Sequence, residues 1–267
     1  MLCKNCNKNV NSKLQLCKTI NFNENYFSIC DNNSLVAKVI FNNTNNEIIN
    51  CHFINNLKNV NFSKYITTIK KNNKFIIIYE KIDGIHLSKM VNNYTSYNFV
   101  KIIKKVVNQL FYLKKQKFYF LNLSLDNILL KLNNPYLINY SSLTNYKLSN
   151  ILKNKNYGQI GYCPPEYIIN NNLVINKFDV FSIGIILFQK FYNFNPLSIK
   201  DYYYLDCWCW CNNKNHKSRE LCLIKFLKYN KNIVDDYYKY IIIKCLQFDP
   251  DKRIDIKVLN QLFTYTF

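Results

Sequence analysis

Arginine and glycine are nearly missing from this sequence: Arg219, Arg253 and four glycines stand in 267 residues. Long apolar runs are missing too. The longest, 180–188, is interrupted by Ser182 and Gly184, well short of the roughly 20 residues a bilayer span requires. The first residues, Met1-Leu2-Cys3-Lys4-Asn5-Cys6, lack the charged-then-apolar layout of a secretory leader. These absences argue against a membrane-spanning or exported chain. They predict a cytoplasmic protein whose eleven cysteines stay reduced.

Negative charge is scarce: 16 Asp and Glu stand against 36 Lys and Arg, a net charge of +20. The surplus invites a nucleic-acid reading, but it is nearly all lysine and is spread along the chain. Nucleic-acid surfaces concentrate Arg with Lys on one face. Asn, Lys, Ile and Tyr are abundant throughout, as codon drift in an A/T-rich genome would leave them. The charge therefore predicts non-specific attraction to polyanions at low salt, not sequence recognition. Under such drift, each retained Gly, Pro or Arg carries information.

The 49% apolar content can bury a core in one large domain or two small lobes. Residues 16–41 alternate and carry β-branched and aromatic side chains, which predicts strands with a turn at Asp31-Asn32-Asn33. A weakly periodic helix is expected over 47–57 and a buried strand over 75–79, followed by a turn at Gly84. The clearest helix sets Phe99, Ile102, Ile103, Val106, Val107, Leu110 and Phe111 on one stripe. Two short strands, 128–132 and 136–138, flank a turn at Asn133-Asn134-Pro135. Further helices are expected at about 176–192, 219–229, 233–247 and 255–263. Strands first and helices after describe an α+β chain in two lobes.

Five segments then fall in a recognisable order. Phe120-Leu121-Asn122-Leu123-Ser124-Leu125-Asp126-Asn127-Ile128-Leu129-Leu130 resembles the H-R-D-L-K-P-E-N-I-L-L catalytic loop of eukaryotic-type protein kinases. Asn139-Tyr140-Ser141 stands at the D-F-G position. Residues 158–166, ending Pro164-Pro165-Glu166, resemble the close of an activation segment. Asp179-Val180-Phe181-Ser182-Ile183-Gly184 resembles D-V-W-S-x-G, and 245–253 resembles C-L-x-x-D-P-x-x-R. The resemblance to the protein kinase superfamily spans roughly 16–267. It implies a bilobal fold, with a small antiparallel β-rich N-lobe and a mainly helical C-lobe. The implied divisions are an N-terminal extension over 1–15, an N-lobe with its hinge over 16–84, and a C-lobe over 85–267. It also implies structural roles for three groups: Glu166 pairs with Arg253, and Asp179 accepts hydrogen bonds from the catalytic-loop backbone.

Against that pattern the chemistry is degenerate. Asn122 occupies the base position and Ser124 the Lys position of the loop, while Asn139 replaces the metal-binding Asp. Gln159 replaces a Thr that contacts that loop. Phe120 and Leu121 replace the His and Arg. No glycine lies between Leu16 and Ile40, so the phosphate-covering loop is lost, and Phe27 is a candidate to fill its space. Lys38 resembles the phosphate-binding Lys, with Glu47 as its best partner, and Asn127 matches the remaining metal-ligand position.

The expected function is that of a catalytically inactive pseudokinase acting through a protein partner, with no cofactor and no membrane. A divergent ATP- and Mg²⁺-dependent Ser/Thr-type kinase of low activity is the alternative, and a polyanion binder is the third reading. Cys3 and Cys6 form a C-x-x-C that offers half a zinc site. Cys207, Cys209 and Cys211, with His216 and Cys222, form a denser cluster around Trp208 and Trp210, which are either core or a binding hot spot. His52 and His86 read as solvated helix residues.

Overall fold

The computed structural model describes residues 16–21, 26–29, 32–41, 45–58, 60–71, 74–145, 157–170, 172–197, 226–227 and 235–265. The chain divides into two compact units. One comprises Met1–Gly84 with Tyr136–Ser141; the other comprises Ile85–Pro135 with Ser142–Phe267.

The first unit is built on an antiparallel sheet of β1 (Leu16–Asn21), β2 (Tyr26–Ile29), β3 (Asn32–Phe41), β4 (Tyr65–Lys71) and β5 (Lys74–Glu80). Their spatial order is β1-β2-β3-β5-β4. Strand β3 pairs with β5 over seven consecutive positions, from Leu35 against Glu80 to Phe41 against Lys74. Val39 therefore faces Ile76, and Ala37 faces Ile78. These four form one buried apolar cluster, as the period-2 alternation requires. Helix α1 (Asn45–Asn55) packs against β4. Asn32 and Asn33 already belong to β3, so the expected turn ends before them.

In the second unit, β6 (Ile85–His86) leads into the short helix α2 (Leu87–Met90) and then α3 (Ser96–Lys115). The Thr95 side chain caps α3 by accepting the Asn98 N–H. The stripe from Phe99 to Leu110 is buried and Phe111 is half-buried. Strands β7 (Phe118–Tyr119) and β8 (Ile128–Lys131) bracket the catalytic-loop segment, and β9 (Asn134–Leu137) and β10 (Thr144–Asn145) follow. The remaining helices are α4 (Pro165–Asn170), α5 (Ile175–Tyr192), α6 (Asp236–Cys245) and α7 (Ile256–Tyr265). Only 226–227 of the helix expected at 219–229 are described, and both are helical. Among the described residues, no helix is long and apolar enough to cross a membrane.

Helix α5 is apolar almost all round, as a helix at the centre of a bundle must be. It comes close to the segment ending α6 at Gly184. A Cβ added there would lie 2.7 Å from Leu246 Cδ2 and 2.8 Å from Cys245 Cβ. Gly184→Ala is expected to lower stability by about 1–3 kcal/mol through overpacking. Urea denaturation checks this, and an unchanged midpoint would mean that the two segments separate freely.

Candidate catalytic-loop and lysine sites

After β7 the chain runs through 120–124 into a 3-10 turn at Leu125–Asn127 and then β8. Phe120 and Leu121, where the family pattern has His and Arg, are fully buried. Leu121 sits at φ 55°, a left-handed conformation that costs a residue with a Cβ about 1–2 kcal/mol. Asp179 of α5 holds it there. The Asp179 Oδ2 accepts the Phe120 N–H at 3.0 Å, and Oδ1 accepts the Leu121 N–H at 2.9 Å. Burial pushes the Asp179 carboxyl up to about 7, and these two hydrogen bonds pull it the other way.

Asn122, Ser124 and Asn127 are all buried in this loop. The Asn127 Nδ2 donates to the Asn122 carbonyl at 2.7 Å, so this amide pins the loop backbone. The Ser124 hydroxyl, at the Lys position, has no hydrogen-bond partner among the described residues. Gln159 Nε2 donates to the exposed Asp126 carboxylate at 3.4 Å.

His86 corrects the sequence reading. It lies on β6, half-buried, with Nδ1 at 2.7 Å from the Asp126 carbonyl oxygen. Forty positions separate the two residues, so no local pattern signals the contact. His52 is exposed on α1 and meets the Tyr65 ring edge-on.

The structure brings Glu166 and Arg253 together. Both Glu166 oxygens accept from the guanidinium at 2.8 Å, in bidentate fashion. The fully buried Arg253 also donates through Nε to the Gln247 carbonyl at 3.0 Å and through Nη1 to the Lys177 carbonyl at 3.1 Å. Its guanidinium lies 4.9 Å from the Phe181 ring centroid. Every charge on this pair is thus met, the condition under which a buried ion pair is tolerated.

In the first unit, Lys38 of β3 is 7% exposed. Its ammonium donates to the Asn139 side-chain carbonyl at 3.1 Å. Asn139 sits at φ 60°, which Asn tolerates better than most residues with a Cβ. Its Oδ1 also accepts the Ser141 hydroxyl at 3.2 Å. Hydrogen bonds tie the segment around it to the rest of this unit. Leu137 N donates to the Asn61 carbonyl at 2.9 Å, the Tyr140 hydroxyl to the Ser63 carbonyl at 3.2 Å, and Asn50 Nδ2 to the Tyr140 carbonyl at 3.4 Å. The sequence pointed to Glu47 as a partner of Lys38, a pairing that lies outside the described residues, and it did not foresee the Asn139 contact. The motif positions alone carried the signal, because 101 positions separate the pair.

The side chains of Glu47 and Phe27 lie outside the described residues, as do Cys3, Cys6, the cluster at 207–211, His216 and Cys222. Among the described residues, no three His, Cys, Asp or Glu side chains gather where they would hold a metal ion.

The antiparallel sheet unit, the helical unit that follows, the Asp179-supported loop and the Glu166–Arg253 pair together define a kinase-type fold. Residues 26–263 match the protein kinase domain family, and the chain belongs to it. None of the curated proteins matches the chain.

Proposed function

We propose that this protein kinase domain does not transfer phosphate and acts instead through contact with a protein partner. Amides at 122 and 139, where the reaction needs carboxylates, carry that reading. Phosphoryl transfer is mostly positioning and charge neutralisation. An amide cannot take up the hydroxyl proton, a loss worth about 10²–10⁴-fold. Magnesium sheds water reluctantly and favours carboxylate oxygens, so the residues present do not fit a magnesium–nucleotide pair. Asn139 offers only a neutral oxygen, already shared by Lys38 and Ser141. The nitrogen of Asn127 is committed to the Asn122 carbonyl, which supports a structural role for that residue. Ser124 supplies no positive charge where the family pattern has a lysine.

A divergent ATP-dependent kinase of low activity is the second reading, favoured by the buried Lys38 at the nucleotide-lysine position. A phosphoryl-transfer assay with labelled ATP, with and without Mg²⁺ or Mn²⁺, separates the two. The expected result is no turnover above a metal-free blank. Metal-dependent turnover abolished by Lys38→Ala would establish the second reading. Polyanion binding, the third, requires a steep salt dependence with preference beyond charge.

A further inference from the structure

Strand β4 is an edge of the first unit's sheet; among the described strands it pairs with β5 alone. At its start the edge is closed. The Lys64 carbonyl faces β5, accepting the Glu80 N–H at 2.8 Å, so both backbone groups of Tyr65 turn outward. The Asn55 side chain takes both of them. Its Oδ1 accepts the Tyr65 N–H at 3.0 Å, and its Nδ2 donates to the Tyr65 carbonyl at 2.7 Å. A single side-chain amide thus stands in for one residue of a neighbouring strand.

Beyond Asn55, no described strand pairs with the outer side of this edge. Lys71 pairs with Lys74 across a two-residue connection, which makes them the hydrogen-bonded closing pair of a hairpin. The ladder alternates, so the backbone groups of Lys70 and Thr68 point away from β5. Ile69 lies opposite Ile76, which lies opposite Val39. This apolar row ends in a side chain that is 37% exposed, with Ile66 at 46% nearby. Lys70, the next residue along from Ile69, points to the opposite face of the strand, and β4 carries no carboxylate. Pairing with a second copy would set lysine against lysine, which opposes self-association.

We propose that β4 is a docking edge for an extended acidic segment of a protein partner, one that alternates carboxylates with β-branched apolar side chains. The segment adds a strand at Thr68 and Lys70, continues the Val39–Ile76–Ile69 row with an apolar residue, and sets its carboxylates on the other face, beside Lys70. This surface does not depend on the state of the catalytic loop.

The test is an anisotropy titration of the full chain with a labelled seven-residue peptide of alternating Glu and Val, without nucleotide. Saturable binding is expected. Thr68→Pro removes one outward N–H at an edge position that tolerates proline and should weaken binding about tenfold. Lys70→Glu should abolish it. Backbone N-methylation of the peptide should do the same while leaving the protein untouched. No saturation, equal binding of a Lys–Val peptide, indifference to N-methylation, or a β4-mediated dimer in sedimentation would each overturn the proposal.

Discussion

Arg253→Ala is expected to lower the stability of the helical unit by about 3–5 kcal/mol, read as a fall in the urea midpoint. The cost comes from stranding a buried carboxylate, because Glu166 loses both of its 2.8 Å donors at once. The Gln247 and Lys177 carbonyls also lose their donor, and Phe181 loses the cation above its ring. A double variant separates stranding from packing. Arg253→Met with Glu166→Met removes both charges and should recover most of the loss, since apolar replacements of a buried pair are often neutral. Lys38→Ala should cost far less, because the oxygen it donates to belongs to the neutral Asn139 amide, which keeps a hydroxyl donor in Ser141. Equal and small effects for Arg253→Ala and Lys38→Ala would sink the assignment of the pair as a structural anchor.

Asp179→Ala should cost a similar amount, about 2–6 kcal/mol. It strands two buried N–H groups at about 1–3 kcal/mol each and frees Leu121 from its left-handed conformation. The wild type should also show a pH signature. The folded carboxyl titrates at about 7, and in the unfolded chain it titrates near 4. Between those values the folded state keeps a proton that the unfolded state has released. This group's contribution to stability is therefore complete below about pH 4 and is lost as the pH rises through about 7, by no more than ~4 kcal/mol. Asp179→Asn cannot titrate and should remove that slope. It also sets an amide NH₂ against one backbone N–H, so its stability should lie below the wild type's throughout. A wild-type slope that survives Asp179→Asn would assign the titration to another group.

How far the sequence revealed the fold depended on the range over which each signal acts. The α3 stripe was legible because seven apolar positions recur with the helical period. Helix α5, apolar almost all round, was legible from its apolar run and the resemblance over 179–184. The hairpin after β8 was displaced: its turn is Leu132-Asn133, at φ 50° and 59°, and Pro135 lies inside β9. A two-residue hairpin turn needs left-handed residues, and a proline, with φ fixed near −65°, suits a strand position instead. Leu132 carries that conformation while 89% exposed, which no composition rule would suggest. Strand β4 was missed. A register shift between Tyr65 and Thr67 breaks its alternation, and its outer residues stay exposed, so neither period nor apolarity marked it.

The degenerate positions were legible as identities and not as contacts. Asn122, Ser124 and Asn139 could be read against the family pattern. That the Asn139 amide would accept from Lys38, and that Ser124 would be buried without a partner among the described residues, could not. Three of the four glycines, Gly158, Gly161 and Gly184, fall in the matched segments. Gly158 and Gly161 sit at φ 74° and 91° and Gly184 sits where a Cβ would collide. In a composition so depleted of glycine, their survival reports positions where a Cβ would be strained or crowded.

The most direct test of the account is the metal dependence of nucleotide binding, measured as a thermal shift with ATP alone and with ATP plus Mg²⁺. The account predicts no added stabilisation from the metal in the wild type. A metal increment of several degrees in the wild type, lost in Lys38→Ala, would contradict it.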